Sequence, residues 1–166
     1  MKKFMLVLIV AFSIVSSAYA QNKQDVYVGG ALGIMAVPDG ADAGVGLAVK
    51  VGFGLESVLE HLAAEVEIQK SIMNPEYGRV DVDILTLAGY AVYNINIPSS
   101  QITVKPKFGI ILPNLGDDES VNSRNYGFSS GLDVVLKISN EMNGYIGYTN
   151  LGENVNTYNV GIELHF

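Results

Sequence analysis

The feature that most limits how this chain can fold is a regular alternation of apolar and polar residues, which is clearest at residues 157–166. Successive side chains of a β-strand point to opposite faces, so such a segment predicts a strand with one apolar and one polar face. Apolar residues fill every second position of this segment: Tyr158, Val160, Ile162, Leu164 and Phe166.

Similar patterns upstream predict eight strands, and segments rich in Gly, Pro, Asn and Asp separate them. About 9–11 residues of a tilted strand cross a bilayer, and each segment supplies them. The facing of the seventh strand stays open, because Tyr145 and Tyr148 fall on opposite faces. The predicted strands are residues 25–36, 43–54, 62–72, 79–93, 102–112, 124–138, 141–151 and 157–166.

Residues 1–20 have the pattern of a secretory signal peptide. Lys2 and Lys3 precede an apolar run at 4–12, and Ala18 and Ala20 form a small-x-small cleavage pattern. We therefore expect a mature domain of residues 21–166. It has no cysteine for disulfides or thiolate metal sites, and no apolar stretch long enough for a spanning helix.

Charge argues against a nucleic-acid partner. The chain has 10 basic and 17 acidic residues, and removing Lys2 and Lys3 leaves 8 minus 17, a net charge of −9. An exported, apolar chain without spanning helices is the compositional setting of a transmembrane β-barrel.

A soluble barrel or sandwich would also alternate, but its apolar face would point inward and its outer face would carry many charges. Here the polar face combines small residues with charges of both signs, which suits the narrow interior of an eight-stranded barrel. We expect even-numbered apolar side chains to contact lipid and odd-numbered polar ones to fill the lumen, although residues 43–54 alternate with Val45, Leu47 and Val49 on the apolar side. Lys70 is an exception on the apolar face, near a strand end where it could snorkel.

The polar face predicts a lumen in which six acids meet four lysines, with Arg79 near the rim. Lys50 is expected near Glu65, and Lys105 diagonal to Asp133; the alternative is that these groups face lumenal water. The acids are Glu65, Glu67, Asp81, Asp83, Asp133 and Glu163, and the lysines are Lys50, Lys105, Lys107 and Lys137. Aromatic residues near strand ends predict interfacial girdles: Tyr27, Phe53, Tyr90, Tyr93, Tyr126, Tyr158 and Phe166.

If both termini are periplasmic, the extracellular loops are residues 37–42, 73–78, 113–123 and 152–156. The periplasmic turns are then residues 54–61, 94–101 and 139–140. The longest loop, 113–123, falls outside, as is usual for such barrels.

The last strand, ending in Phe166, together with residues 144–152, resembles the small outer-membrane β-barrels of Gram-negative bacteria, a group that includes OmpX-like, OmpA transmembrane-domain-like and opacity- or NspA-like proteins. The resemblance implies an eight-stranded antiparallel up-and-down transmembrane barrel in the outer membrane. It also implies assembly by Bam-type machinery through the Phe166 signal, contact with outer-membrane lipid and lipopolysaccharide, and loops exposed at the cell surface. Members act in adhesion, complement evasion or envelope integrity, although the outer loops here are shorter than those of adhesive members.

Residues that could carry chemistry form weak patterns. His61 and His165 could both lie at the periplasmic rim, but two histidines without a third ligand make a poor metal site. Outer-membrane lipid deacylases share a His-x-Ser pair, and neither histidine of this chain begins one. The predicted outer loops contain no histidine. The Gly-rich segments 29–33 and 44–46 lack the Lys-Ser/Thr of a phosphate loop.

The acidic cluster Asp117, Asp118 and Glu119 could bind Ca²⁺ or bridge divalent ions to lipopolysaccharide phosphates, but a solvated loop tip is the simpler interpretation. The sequence thus predicts no catalytic, cofactor-binding or metal-binding residues and no cofactor. It predicts a structural or surface-interaction barrel with a filled polar lumen; the alternative is a narrow porin-like conduit for small solutes or ions.

Overall fold

The fold is known from a computed structural model, which describes residues 26–36, 42–77, 80–81, 83–113, 126–152 and 155–166. Eight long strands dominate these residues. They are β1 (Val26–Ala36), β2 (Gly44–Gly54), β3 (Leu62–Met73), β4 (Leu85–Tyr93), β5 (Ile102–Pro113), β6 (Gly127–Lys137), β7 (Met142–Asn150) and β8 (Asn156–His165).

The strands form a closed antiparallel barrel. Each strand pairs with its neighbour in sequence, and β1 closes the cylinder by pairing with β8 from Tyr27 opposite His165 to Ala36 opposite Asn156. The predicted all-β fold class and eight-stranded topology are confirmed. In the described part of the chain, no helix is long and apolar enough to cross a membrane.

The predicted fourth strand, 79–93, was too long. The strand proper begins at Leu85, and Val80–Asp81 pairs instead with Glu76–Tyr77 in a small separate hairpin. Part of the predicted loop 73–78 is therefore β-structure. The predicted signal peptide, most of loop 113–123 and Asp117, Asp118 and Glu119 lie outside the described residues, and the predictions on them stay predictions.

The two ends of the barrel differ. At one end, here called the turn end, segments 55–61, 94–101 and 138–141 connect the strands, and Ile95–Asn96 extends one turn by pairing with Val104 and Thr103. At the other, the loop end, the connections are 37–43, 74–84, 114–126 and 151–155. The longest connection, 114–126, is at the loop end, as the sequence predicted.

Alternate side chains face the interior and the outside. Outward residues such as Phe108, Phe128 and Val160 are 59%, 74% and 66% exposed, whereas inward residues are mostly buried. On β2 the odd-numbered apolar residues face outward, as the alternation of 43–54 predicted. The even-outward expectation was wrong for β4, where odd-numbered residues face outward. The open question on β7 is settled, since Tyr145 is buried in the interior and Tyr148 faces outward.

Candidate functional site

Within the described part of the chain, the barrel interior holds seven buried charges, none more than 5% exposed, contributed by five different strands. A charge removed from water is very unfavourable unless it is paired. Here every one of the seven lies in an ion pair. They are Lys50, Glu65, Glu67, Lys105, Lys107, Asp133 and Glu163.

Lys50, on β2, is the centre of this lumenal ion-pair network. Its Nζ lies 2.8 Å from a carboxylate oxygen of Asp133, 2.8 Å from one of Glu163 and 3.5 Å from one of Glu65. The ammonium also lies 3.8 Å from the centre of the Tyr145 ring, a cation–π contact. Lys50 thereby joins β2, β3, β6, β7 and β8 across the lumen.

The same three carboxylates could geometrically hold a metal ion. Oxygens of Glu65, Asp133 and Glu163 lie within 4.8 Å of one another, the one such His/acid group among the described residues. The Lys50 ammonium already supplies a cation to this group, with two contacts of 2.8 Å. The cluster is therefore compensated by the chain's own side chain.

Two further lysines on β5 extend the network. Lys107 Nζ lies 2.9 Å from Glu67 and 3.6 Å from both Glu65 and Asp133. Lys105 was expected diagonal to Asp133. The two residues are instead directly opposite in register, and the Lys105 Nζ lies 2.8 Å from Glu163 on β8. A long lysine stem reaches across the lumen, so the ion partner need not be the residue opposite on the next strand.

Tyrosine side chains complete the interior. The Tyr27 hydroxyl donates to Glu65 at 2.9 Å, and the Tyr90 hydroxyl lies 2.8 Å from the Ser129 hydroxyl. Lys105 lies 4.2 Å from the centre of the Tyr27 ring. Tyr27 and Tyr90 are therefore lumenal, and their predicted place in the outer girdles was wrong.

A buried apolar cluster lines one side of the lumen along its length, from Ala63 and Val92 near the turn end to Ile111 and Leu151 near the loop end. Ala88, Ile111 and Leu151 are all buried and pack together with the partly buried Val155. Ile111 is two residues from the loop end of β5, and Leu151 follows β7 directly. The lumen thus combines a charged middle with a loop-end interior that is partly apolar and partly polar, since Thr86, Ser129 and Thr149 are also buried there.

The family described as outer membrane protein beta-barrel domain matches residues 4–166 of this chain. This chain belongs to that family. It is an integral outer-membrane β-barrel protein, which confirms the predicted family and localisation.

Solved structures of other outer-membrane barrels have the same fold. Neisserial surface protein A is 14% identical with a TM-score of 0.63, and the match covers 87% of this chain and 98% of that one. Ail of Yersinia pestis is 10% identical with a TM-score of 0.59, covering 87% and 100%. The N-terminal barrel of Pseudomonas aeruginosa OprF is 11% identical with a TM-score of 0.56, covering 84% and 97%. No curated protein matches in sequence.

Membership of this family assigns the exposed apolar face of the barrel to lipid. Near the loop end this face carries Tyr126, Phe128, Tyr148 and Tyr158. Near the turn end it carries Phe53, Tyr93 and Phe166. Five of the seven predicted girdle aromatics thus face outward near a strand end, where amphipathic rings meet the membrane interface.

Not every predicted lumenal charge joins the network. Asp83 and Lys137 are exposed, while Arg79 and the Asp81 side chain lie outside the described residues. Among the side chains that the structure describes, four of the six predicted acids and three of the four predicted lysines are buried together, and the prediction for Asp83 and Lys137 was wrong.

The two histidines have different neighbours. His61 lies beside Glu60 and Tyr93, whereas His165 stacks on Tyr27 and bonds Asn143. The group of side chains that could hold a metal contains neither of them within the described residues.

The alternation of the sequence could have placed Tyr27 and Tyr90 inside. Val28 and Leu32 occupy the outward positions on the strand of Tyr27, and Leu85 and Leu87 occupy those on the strand of Tyr90.

Proposed function

We propose that this chain is a non-conducting barrel that anchors its loop end at the cell surface, with a structural or surface-interaction role and no catalytic activity. The observation that supports this is the Lys50 ammonium, which ion-pairs with Glu65, Asp133 and Glu163 on three other strands. A side chain in the middle of the lumen, held from several walls, occupies the space that a permeating solute would need.

The energetics favour a closed lumen. Opening a path would require several buried ion pairs to separate together, since Lys107 also contacts Glu65 and Asp133. Removing one partner from a buried pair costs about 3–5 kcal/mol because the other charge is left uncompensated.

Orientation follows from the unequal ends of the barrel. Outer-membrane barrels have short periplasmic turns and longer extracellular loops, and the longer connections at the loop end support an orientation with that end outside. The predicted recognition of Phe166 by the assembly machinery is compatible with this orientation and stays a prediction. Its backbone amide donates to the Val26 carbonyl at 2.9 Å, which joins the two ends of the described chain at the turn end.

Planar-bilayer recording of the purified protein tests the proposal. We expect no sustained conductance from the native barrel. Lys107→Ala, which removes a side chain that crosses the lumen, is expected to raise the frequency of brief openings, while Lys137→Ala, at an exposed position, leaves the recording unchanged. Sustained single-channel steps from the native barrel would instead support the narrow conduit and refute the proposal.

A further inference from the structure

Lys70 is the one charged side chain on the outward face of the eight strands as the structure describes them. It is exposed, and no carboxylate of the described residues lies within ion-pair distance of it. Lys70 lies three residues before the loop-end terminus of β3. A lysine on the lipid face costs about 2–4 kcal/mol at the bilayer midplane but only about 0–1 kcal/mol near an interface, so its position is tolerable where headgroups begin.

An apolar groove lies on the same outward surface. Its volume is about 590 Å³, and it runs across β1, β2, β6, β7 and β8. Leu32, Ile34, Val45, Ile146 and Val160 line it.

Two tyrosines indicate the depth of this groove along the barrel axis. Tyr148 and Tyr158 also line it, with ring centres 5.4 Å apart, and each lies two residues from the loop end of its strand. The Tyr148 hydroxyl donates to Asn156 at 2.9 Å, which marks where the apolar surface gives way to polar groups. The groove therefore extends from the middle of the strands to the loop-end edge of the membrane face.

Strand register places Lys70 at the rim of the groove. Leu32 pairs with Leu47, and Leu47 pairs with Lys70 on the next strand. At about 4.8 Å per strand, the Lys70 backbone is about 10 Å from that of Leu32. The flexible four-carbon stem of lysine covers part of this distance, so the ammonium can meet a phosphate that lies beside the groove rather than within it.

We infer that Lys70 and the groove bind one outer-leaflet lipid with a phosphate-bearing headgroup, namely the lipid A part of lipopolysaccharide. An acyl chain fills the apolar groove, and the Lys70 ammonium pairs with a headgroup phosphate. The assignment to lipid A rests on the proposed function, because it requires the loop end to face the exterior.

A second copy of the barrel fits less well. The outward face of an identical barrel offers no carboxylate to Lys70 among the described strands, so a symmetric contact would leave the lysine unpaired in an apolar interface. A lipid phosphate supplies the missing anion and places it at the interface, where the charge is least costly.

The test is native mass spectrometry of the protein released from detergent micelles containing lipid A. We expect one retained lipid A per barrel. Lys70→Met, which keeps the side-chain length and removes the charge, should weaken binding by about tenfold, as expected for loss of one charge-assisted contact. Lipid A without phosphates should bind the native barrel equally weakly.

Two further variants control the result. Ile146→Trp partly fills the groove and should also lower retention, while Lys137→Met removes an exposed lysine at the turn end and should have no effect. Heat-dependent gel migration confirms that each variant is folded.

Equal binding by Lys70→Met and the native barrel would overturn the inference. Equal retention of phosphatidylglycerol would overturn the assignment to lipid A, and dimers that exclude lipid would show that the groove receives a second copy. Failure of the proposed function is distinguishable, because it appears as sustained conductance whether or not lipid A is retained.

Discussion

Replacing Lys50 with Met tests whether the lumen is held closed by ion pairs. Methionine fills much of the space of the lysine stem, so the change chiefly removes the charge. Glu163 would keep Lys105 at 2.8 Å, and Glu65 would keep the Tyr27 hydroxyl at 2.9 Å. Asp133 would keep only Lys107, at 3.6 Å, and one of its oxygens already lacks a hydrogen-bond partner.

The expected loss follows from these contacts. Leaving one buried charge uncompensated costs about 3–5 kcal/mol, and because two of the three carboxylates retain a close partner, we expect a loss near the lower limit, about 3 kcal/mol. The measurement is the free energy of unfolding, from urea titration of the barrel in lipid vesicles.

Double mutants identify which carboxylate accounts for the loss of stability in Lys50→Met. Lys50→Met with Asp133→Asn should recover more than half of the loss, because the amide replaces the acid that depended most on Lys50. Lys50→Met with Glu67→Gln is the matched control: Glu67 contacts Lys107 rather than Lys50, so stability should fall further. A loss below about 1 kcal/mol for Lys50→Met, the range of exposed ion pairs, would refute the reasoning and indicate a hydrated lumen.

Two pairs of substitutions test which face of a strand points outward. Gly33→Val should destabilise the barrel by about 1–3 kcal/mol, since a Cβ there would overlap the Asn159 amide oxygen and lie 2.7 Å from the Tyr158 carbonyl oxygen. Gly30→Val should be tolerated, because a Cβ at this position meets nothing closer than 4.0 Å. Equal unfolding midpoints for the two variants would contradict this prediction. Val160→Arg, in the middle of a strand on the lipid face, should lower the free energy of unfolding in vesicles by about 2–4 kcal/mol. Tyr126→Arg, at the loop end, should lower it by less than about 1 kcal/mol. Equal losses for the two variants would argue against lipid contact at Val160.

The sequence was sufficient for the strands because the alternation of apolar and polar residues is a local property that the lipid and the lumen both reinforce. The sequence was insufficient to predict which side of a strand points outward where small residues reduce the difference in polarity between its two faces. On β4, Gly89 and Ala91 face lipid while Thr86 and Ala88 face the lumen, so the two faces differ little in polarity. Tyr90 therefore looked like an interfacial ring, although Leu85 and Leu87 already placed it on the inward side.

Ion partners were predicted less well than strands for a different reason. Lys50 was correctly placed near Glu65, because β2 and β3 are adjacent. Its shorter contacts, to Asp133 and Glu163, come from strands far away in sequence and across the lumen. Such pairs depend on barrel diameter and stagger, which are properties of the closed cylinder rather than of any one strand.

Glycine connects the composition of the chain to the closed lumen. A Cβ at Gly29 would lie 2.9 Å from Cγ of Lys50, one at Gly131 would lie 2.8 Å from Cε of Lys107, and one at Gly52 would overlap the Tyr27 ring. Each of these glycines makes room beside it for a long side chain that then reaches an acid on another strand. The glycines are therefore as necessary to the closed interior as the charges are, because a bulkier wall would displace the lysines from the carboxylates that compensate them.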